Sequence, residues 1–290
     1  MNALSRRSFL AASAVAPASL AIARPVADAA KFKLGIVSYM VPANWDLDTT
    51  LRICRKVGIA ALEARTTHKH GIEPTLTAGQ RADVKKKFAD SGVAFWGCGS
   101  VCEFHSDKPE VVAKNIEDCK RFCQLVADLG GRGVKVRPNG VAKGMTVEAA
   151  CKQIGKALIE CGQAAKSAGV EIWVEVHGSV TQDPANMKAI MDACGHESVG
   201  VTWNSNDGEA AKGAFASNFD LLAKHIKSCH INDLDKDKSG KYPYRELFRK
   251  LKSIGYDRYT LIEVGKAYEP AEGEKFLAAY KAKWDEMVAG

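Results

Sequence analysis

Four short apolar runs in the C-terminal half of the chain each end in a side chain that can hold a metal or carry a proton. They are Trp173-Val174-Glu175-Val176-His177, Thr202-Trp203-Asn204-Ser205-Asn206-Asp207, Cys229-His230-Ile231-Asn232-Asp233 and Leu261-Ile262-Glu263-Val264-Gly265. A carboxylate inside an apolar run is costly to bury without a partner. A divalent cation between Glu175 and Glu263 offsets that cost and favours their charged forms. Two carboxylates, the His230 imidazole and the Asn204 amide oxygen make a mixed oxygen–nitrogen set, suited to Mn²⁺, Mg²⁺, Zn²⁺ or Fe²⁺. Taken singly, each residue has an ordinary explanation: an ion-paired Glu, a satisfied core His, an Asn in a turn. The recurrence in four successive runs is what points to a site.

Such a set could serve metal-assisted acid–base chemistry, of which proton transfer at carbon is one case. Moving a carbonyl, or inverting a carbon beside one, needs a base on one face, an acid on the other and a cation for the developing enediolate oxygens. Glu175 and Glu263 sit in the fifth and eighth runs, so they could reach a bound molecule from different sides. Asp233, three residues after His230, is placed to orient that ring. His105, in the loop after the third run, offers a polar contact to substrate. Lys135 and Arg137 alternate with apolar neighbours in the fourth run, so either could face the interior or bind an anion. Trp96, Trp173 and Trp203 could stack on a ring-shaped ligand, although core packing is the commoner fate of a strand Trp.

These residues must be positioned by a regular scaffold. After Ala30, apolar runs rich in β-formers alternate with amphipathic stretches. The runs are 32–39, 60–65, 93–99, 133–137, 171–176, 199–203, 226–231 and 259–264. Helices are expected from Leu47 with Asp46 as cap and Gly58 beyond its end, and from Thr77 to Gly92 with Thr77 and Gln80 at capping-box spacing. Further helices open near Ser106-Asp107-Lys108-Pro109, Thr146 and Asp183-Pro184. The last three cover 219–225, 244–254 and 271–287. Eight strand–helix units in one chain imply a closed (β/α)₈ TIM barrel, a single α/β domain. An open doubly wound sheet is the alternative; no Gly-x-Gly-x-x-Gly turn follows an early strand to support it.

At this point the sequence resembles the xylose isomerase-like TIM barrels, the sugar phosphate isomerase/epimerase superfamily that also includes endonuclease IV-type proteins. The resemblance rests on the four segments above, on Tyr244–Gly255 leading into the eighth strand and on Ala279-Tyr280-Lys281-Ala282-Lys283-Trp284 near the end. It implies one divalent metal held by Glu175, Asn204, His230 and Glu263, with the two glutamates as the proton-transfer pair. Asn204 stands where the family has Asp, which removes one charge from the ligand set. Asp207 stands where the family often has a His that contacts a substrate hydroxyl, so Asp207 or His177 could complete the coordination. His105, Arg137, His177 and Asp207 are the expected substrate contacts. The implied reaction is isomerisation or epimerisation of a sugar. Elimination on an oxidised sugar or glycoside starts from the same proton abstraction, and a non-catalytic sugar-binding barrel is the remaining alternative. The endonuclease-like relatives use more His and Asp ligands, whereas Tyr39, Glu63, Ser100 and Arg137 occupy the early strands here.

The 290 residues comprise 46% hydrophobic and 26% charged residues, an ordinary globular balance. Ser5-Arg6-Arg7-Ser8-Phe9-Leu10 precedes an Ala-rich apolar run and the small-x-small sites Ala21-Ile22-Ala23 and Ala27-Asp28-Ala29. Residues 1–29 therefore read as a signal peptide, and the paired arginines resemble the twin-arginine export signal. The expected location is the periplasm, with the export machinery as a partner, no stable membrane anchor and an unphosphorylated sugar as substrate. Losing three arginines and Asp28 takes the net charge from +7 to +5. That modest excess gives no reason to expect a nucleic-acid partner. Homo-oligomerisation is left open. Nine cysteines leave at least one thiol unpaired and suit buried apolar roles in a chain folded before export.

Overall fold

A computed structural model describes residues 30–290; the expected signal peptide lies outside them. The chain forms a closed barrel in which each strand pairs in parallel with the next, and the last with the first. The strands are β1 (Lys33–Val37), β2 (Ala61–Arg65), β3 (Ala94–Glu103), β4 (Gly133–Arg137), β5 (Glu171–Glu175), β6 (Val199–Asn204), β7 (Ile226–Ile231) and β8 (Tyr259–Ile262). The outer helices are α1 (Leu47–Val57), α2 (Ala78–Ser91), α3 (Pro109–Leu129), α4 (Val147–Ala168), α5 (Pro184–Cys194), α6 (Asp207–Ala210), α7 (Phe215–Leu222), α8 (Tyr244–Ser253) and α9 (Pro270–Ala289). The expected fold is therefore the observed one.

Local chemistry sets the boundaries. Asp46 accepts from the Thr49 amide at the start of α1, and Gly58 ends that helix in the left-handed region. Thr77 and Gln80 form the full capping box of α2. Two boundaries differ from the sequence reading by four residues. Strand β3 runs four residues past Gly99, to Glu103, with its register against β4 slipping between those residues. The helix after β6 begins at Phe215 rather than Phe219 and is preceded by the short α6. Phe215 and Phe219 both pack on Trp203, so the aromatic contact extends the helix forward.

The main core lies between strands and helices. A second, smaller core fills the lower half of the barrel interior: Val37, Ala61, Trp96, Trp173 and Leu261. Trp96 and Trp173 stack at 4.8 Å between ring centroids. Gly133 makes room for them, because a Cβ there would lie 2.4 Å from the Trp173 ring. Below this plug Glu171 receives Arg258 at 2.6 Å, Arg132 at 3.0 Å and the Trp173 indole N–H at 2.9 Å. Burial would raise its pKa, but Arg258 and Trp173 outweigh that and bring it down to about 2. A barrel plugged below leaves the carboxyl ends of the strands for chemistry. All nine cysteines are buried free thiols. Among the described residues no helix is long and apolar enough to cross a membrane.

Candidate active site at the carboxyl ends of the strands

Alternation along each strand carries the inward face upward from the aromatic plug to a polar layer. On β5, Trp173 is followed by Glu175; on β8, Leu261 by Glu263; on β2, Ala61 by Glu63; on β4, Gly133 by Lys135. Strand pairing places Asn204 directly beside His230. The Glu263 amide donates to Ile231 at 2.9 Å, which fixes that residue just above the end of β8.

Glu175, His230 and Glu263 converge. One ligand atom from each lies within 4.8 Å of the others. The His230 Nδ1 is 3.1 Å from Glu263 Oε2 and 3.7 Å from Glu175 Oε1. Asn204 Nδ2 donates to Glu175 Oε1 at 3.3 Å, and its Oδ1 is buried without a partner. Two further residues belong to this layer. Lys135 Nζ pairs with Glu175 Oε2 at 2.6 Å, with both side chains under 5% exposed. Glu63, fully buried, places Oε2 at 3.2 Å from His230 Nε2 and leaves Oε1 unpartnered. Glu63 was only an early-strand contrast in the sequence reading. The signal that could have found it is the one used for Glu175, a carboxylate inside an apolar run (Ala61-Leu62-Glu63-Ala64).

The charges act on one another. Burial disfavours the Glu175 carboxylate, but Lys135 and His230 overcome this and hold its pKa well below the usual range. Burial likewise disfavours a charged His230, but Glu263 and Glu63 outweigh it, so the imidazole binds its proton far more tightly than a free histidine. Lys135 remains charged because Glu175, Glu63 and Glu263 outweigh its desolvation.

This donor set fits a divalent cation. Glu175, His230 and Glu263 supply two hard oxygens and a nitrogen, and Asn204 Oδ1 is an orphaned buried oxygen beside them. Glu63 accepts from the far nitrogen of His230, an arrangement that fixes a ligating ring.

The remaining predicted residues fall elsewhere. Arg137 and Asn139 both donate to Glu103 Oε1, and Asn139 Oδ1 meets His177 Nδ1 at 2.9 Å. This chain links the ends of β3, β4 and β5 beside the polar layer. Asn139 holds a left-handed backbone, φ 61°, and Gly178 packs so close to it that a Cβ would come within 2.8 Å. His105 is 3.9 Å from Glu103 and lines a cavity of about 400 Å³ with Glu103, Asn115 and Lys143. Asp207 is exposed and paired with Lys236 at 2.6 Å, away from the converging ligands. Asp233 accepts from the Asp235 amide at 3.0 Å; the partner of the His230 ring is Glu63 instead.

One pair imitates a nucleophile and base. Ser38 Oγ lies 3.0 Å from His70 Nε2. The His70 Nδ1 accepts from the Ile72 amide, so Nε2 carries the proton and donates to Ser38 Oγ and Arg65 O. Burial lowers the His70 pKa to about 4. The pair is a structural clasp between β1 and β2.

Known structures share this fold. A 3-keto-D-glucoside 4-epimerase, YcjR, from E. coli superposes with a TM-score of 0.71 at 15% identity, over 87% of this chain and 99% of that one. D-psicose 3-epimerase gives 0.74 at 15%, over 89% and 100%. The IOLI protein with a bound zinc atom gives 0.74 at 20%, over 89% and 98%. No curated protein matches the chain closely enough to count as a relative. Residues 51–282 match the family described as xylose isomerase-like TIM barrel. The chain belongs to the xylose isomerase-like TIM barrel family.

Proposed function

We propose that the protein is a metal-dependent isomerase or epimerase of a sugar or sugar derivative. The observation that carries the reading is the convergence of Glu175, His230 and Glu263 within one 4.8 Å cluster at the carboxyl ends of the strands. The epimerase identities of the 3-keto-D-glucoside, D-psicose and L-ribulose enzymes that share the fold support the sugar class.

A divalent cation held by Glu175, Asn204, His230 and Glu263 would supply Lewis acidity at a substrate oxygen. The chain's own residues do the rest. Glu175 and Glu263 flank the space above His230 from β5 and β8, so one takes a proton from carbon while the other, protonated beforehand, delivers its own to give the inverted or isomerised product, and exchange with water resets the pair. Glu175 is sealed from solvent behind Lys135, whereas the Glu263 side chain is 14% exposed. Glu263 is therefore the one of the two that water can reach. Glu63 holds the His230 ring, and Lys135 keeps Glu175 ionised before substrate arrives.

The test is incubation of the Mn²⁺-loaded protein with keto- and aldo-hexoses and pentoses in D₂O. Deuterium entering at a carbon beside the carbonyl, lost in Glu263→Gln, supports the reading. An eliminated product moves the assignment to a lyase, and saturable sugar binding with no exchange moves it to a binding protein. The proposal includes export: Arg6-Arg7 ahead of the apolar run from Phe9 to Ala23 supports twin-arginine passage to the periplasm. Mass spectrometry of the periplasmic protein, ending or not ending its leader near Ala29, decides this.

A further inference from the structure

We propose that Arg65 is an anion-binding residue at the mouth of the barrel, and that the substrate bears an anionic group: a carboxylate, as suits an unphosphorylated sugar derivative met after export, with a phosphate as the other source the test distinguishes. The inference rests on the metal-dependent reading above and specifies the substrate class of that site.

The position of Arg65 follows from β2. Glu63 faces the barrel interior, where it meets His230, and Arg65 is the next residue on the same face, one layer higher. Its register partner on β3 is Gly99, and a Cβ on Gly99 would lie 3.2 Å from Arg65 Cδ and 2.9 Å from Glu63 Oε1. The missing side chain at Gly99 is thus the space through which the Arg65 stem passes. The backbone is held from both sides: the Arg65 amide donates to Ser38 Oγ at 2.7 Å, and its carbonyl accepts from His70 Nε2 at 3.0 Å. The Ser38–His70 clasp, which does no chemistry of its own, anchors this residue.

The guanidinium is half-buried, and among the described residues no carboxylate lies within 4.0 Å of it. Its one side-chain hydrogen bond goes to Thr66 O at 3.0 Å. The Glu73 carboxylate accepts from Thr66 Oγ1 and the Thr67 amide and forms no ion pair with Arg65. Arg137 is engaged by Glu103, yet its Nε is buried without a partner.

Charge balance makes Arg65 the surplus. The carboxylates of Glu63, Glu175 and Glu263 match a divalent ion together with Lys135, and Glu103 matches Arg137. Glu175 and Glu63 favour the Arg65 charge from a distance, but among the described residues no carboxylate forms an ion pair with it. Burial first, and then Arg137, lower its pKa, and Glu175, Tyr39 and Glu63 only partly oppose them. A planar fork of N–H donors suits two oxygens of a carboxylate or phosphate.

Calorimetric titration of the Mn²⁺-loaded protein with D-glucose, D-glucuronate and D-glucose 6-phosphate tests this. The expected result is tighter binding of one anionic probe than of glucose, by about tenfold or more for a charge-assisted contact. The tighter of the two anions identifies the source of the charge. Arg65→Met removes the preference with manganese stoichiometry unchanged, and Arg65→Lys, which keeps the charge but not the fork, retains part of it. Equal or absent binding of all three probes, or a preference surviving in Arg65→Met, overturns the proposal. Deuterium exchange on a neutral sugar without anion preference would end this inference and leave the isomerase reading intact. Anion preference without exchange on any sugar would do the reverse.

Discussion

Lys135 Nζ and Glu175 Oε2 sit 2.6 Å apart on neighbouring strands, both shut off from solvent. A buried pair of this kind contributes little net stability against an apolar replacement, but removing one member strands the other. Lys135→Met should therefore destabilise the metal-free protein by about 3 kcal/mol, near the lower end for an uncompensated buried charge. Manganese should restore part of that loss, because the cation supplies charge beside Glu175. Urea unfolding with and without Mn²⁺ measures both. Equal stability of wild type and variant in chelator would show that Glu175 does not depend on Lys135.

The second prediction concerns His230, the only side chain in contact with three carboxylates among the described residues. Its proton is held far above the ordinary histidine range, chiefly by Glu263 and Glu63 working against burial. A metal must displace that proton, so affinity for Mn²⁺ should climb as pH rises through neutrality and level off only above the raised pKa. Glu63→Gln removes one of the holding charges, so the climb should move to lower pH. The same variant loosens the ring, which should weaken metal binding by about tenfold or more at high pH, where the proton no longer competes. Competition titrations with a chromogenic chelator at several pH values separate the two effects. An unshifted pH profile would mean that Glu63 does not act through the histidine.

The fold and half of this site were legible in the sequence for one reason: periodicity is local. The strand ends, the caps at Asp46 and Thr77 and the carboxylates of Glu175 and Glu263 are all marked within a few residues of chain. Glu63 and Lys135 were harder to read because their partners lie 167 and 40 residues away. Nothing near Glu63 in the sequence announces His230; only closure of the barrel through β8 and β1 brings β2 within reach of β7. Asp233 misled for the complementary reason. Its spacing from His230 suits a supporting contact, but a local amide, that of Asp235, takes it first. Asp207 was likewise drawn to the surface by Lys236.

The third prediction contrasts two glutamates on the same strand. Glu171 lies at the lower end of β5, ringed by Arg258, Arg132 and Lys227, and Glu175 at the upper end. The lower face of such a barrel serves stability. Glu171→Gln should leave metal binding intact and cost about 2 kcal/mol at pH 6, less than the full shift implies because the surrounding cations are partly screened by water. The folded pKa of about 2 lies below the ordinary glutamate value of 4.5. The stabilisation is therefore fully present above 4.5 and lost as pH falls towards 2. Thermal melts should show wild type and variant converging across that window, and a gap that stays constant with pH would assign the loss to packing instead.

The last prediction turns on Asn204, where the family pattern places an acid. Its Oδ1 is buried and unpartnered, and its amide nitrogen faces Glu175 Oε1 at 3.3 Å. An aspartate there would set a second carboxylate against Glu175 in a space already holding Glu63 and Glu263. Without metal, that repulsion should lower the melting temperature by several degrees, corresponding to about 1–2 kcal/mol. With metal, the added charge becomes a ligand, and Mn²⁺ affinity should rise about tenfold or more. Asn204→Asp should therefore be less stable than wild type in chelator and gain more from Mn²⁺. The sign of the difference matters more than its size. If the variant loses stability in both conditions, position 204 faces the carboxylates but not the metal, and the amide serves only to donate to Glu175.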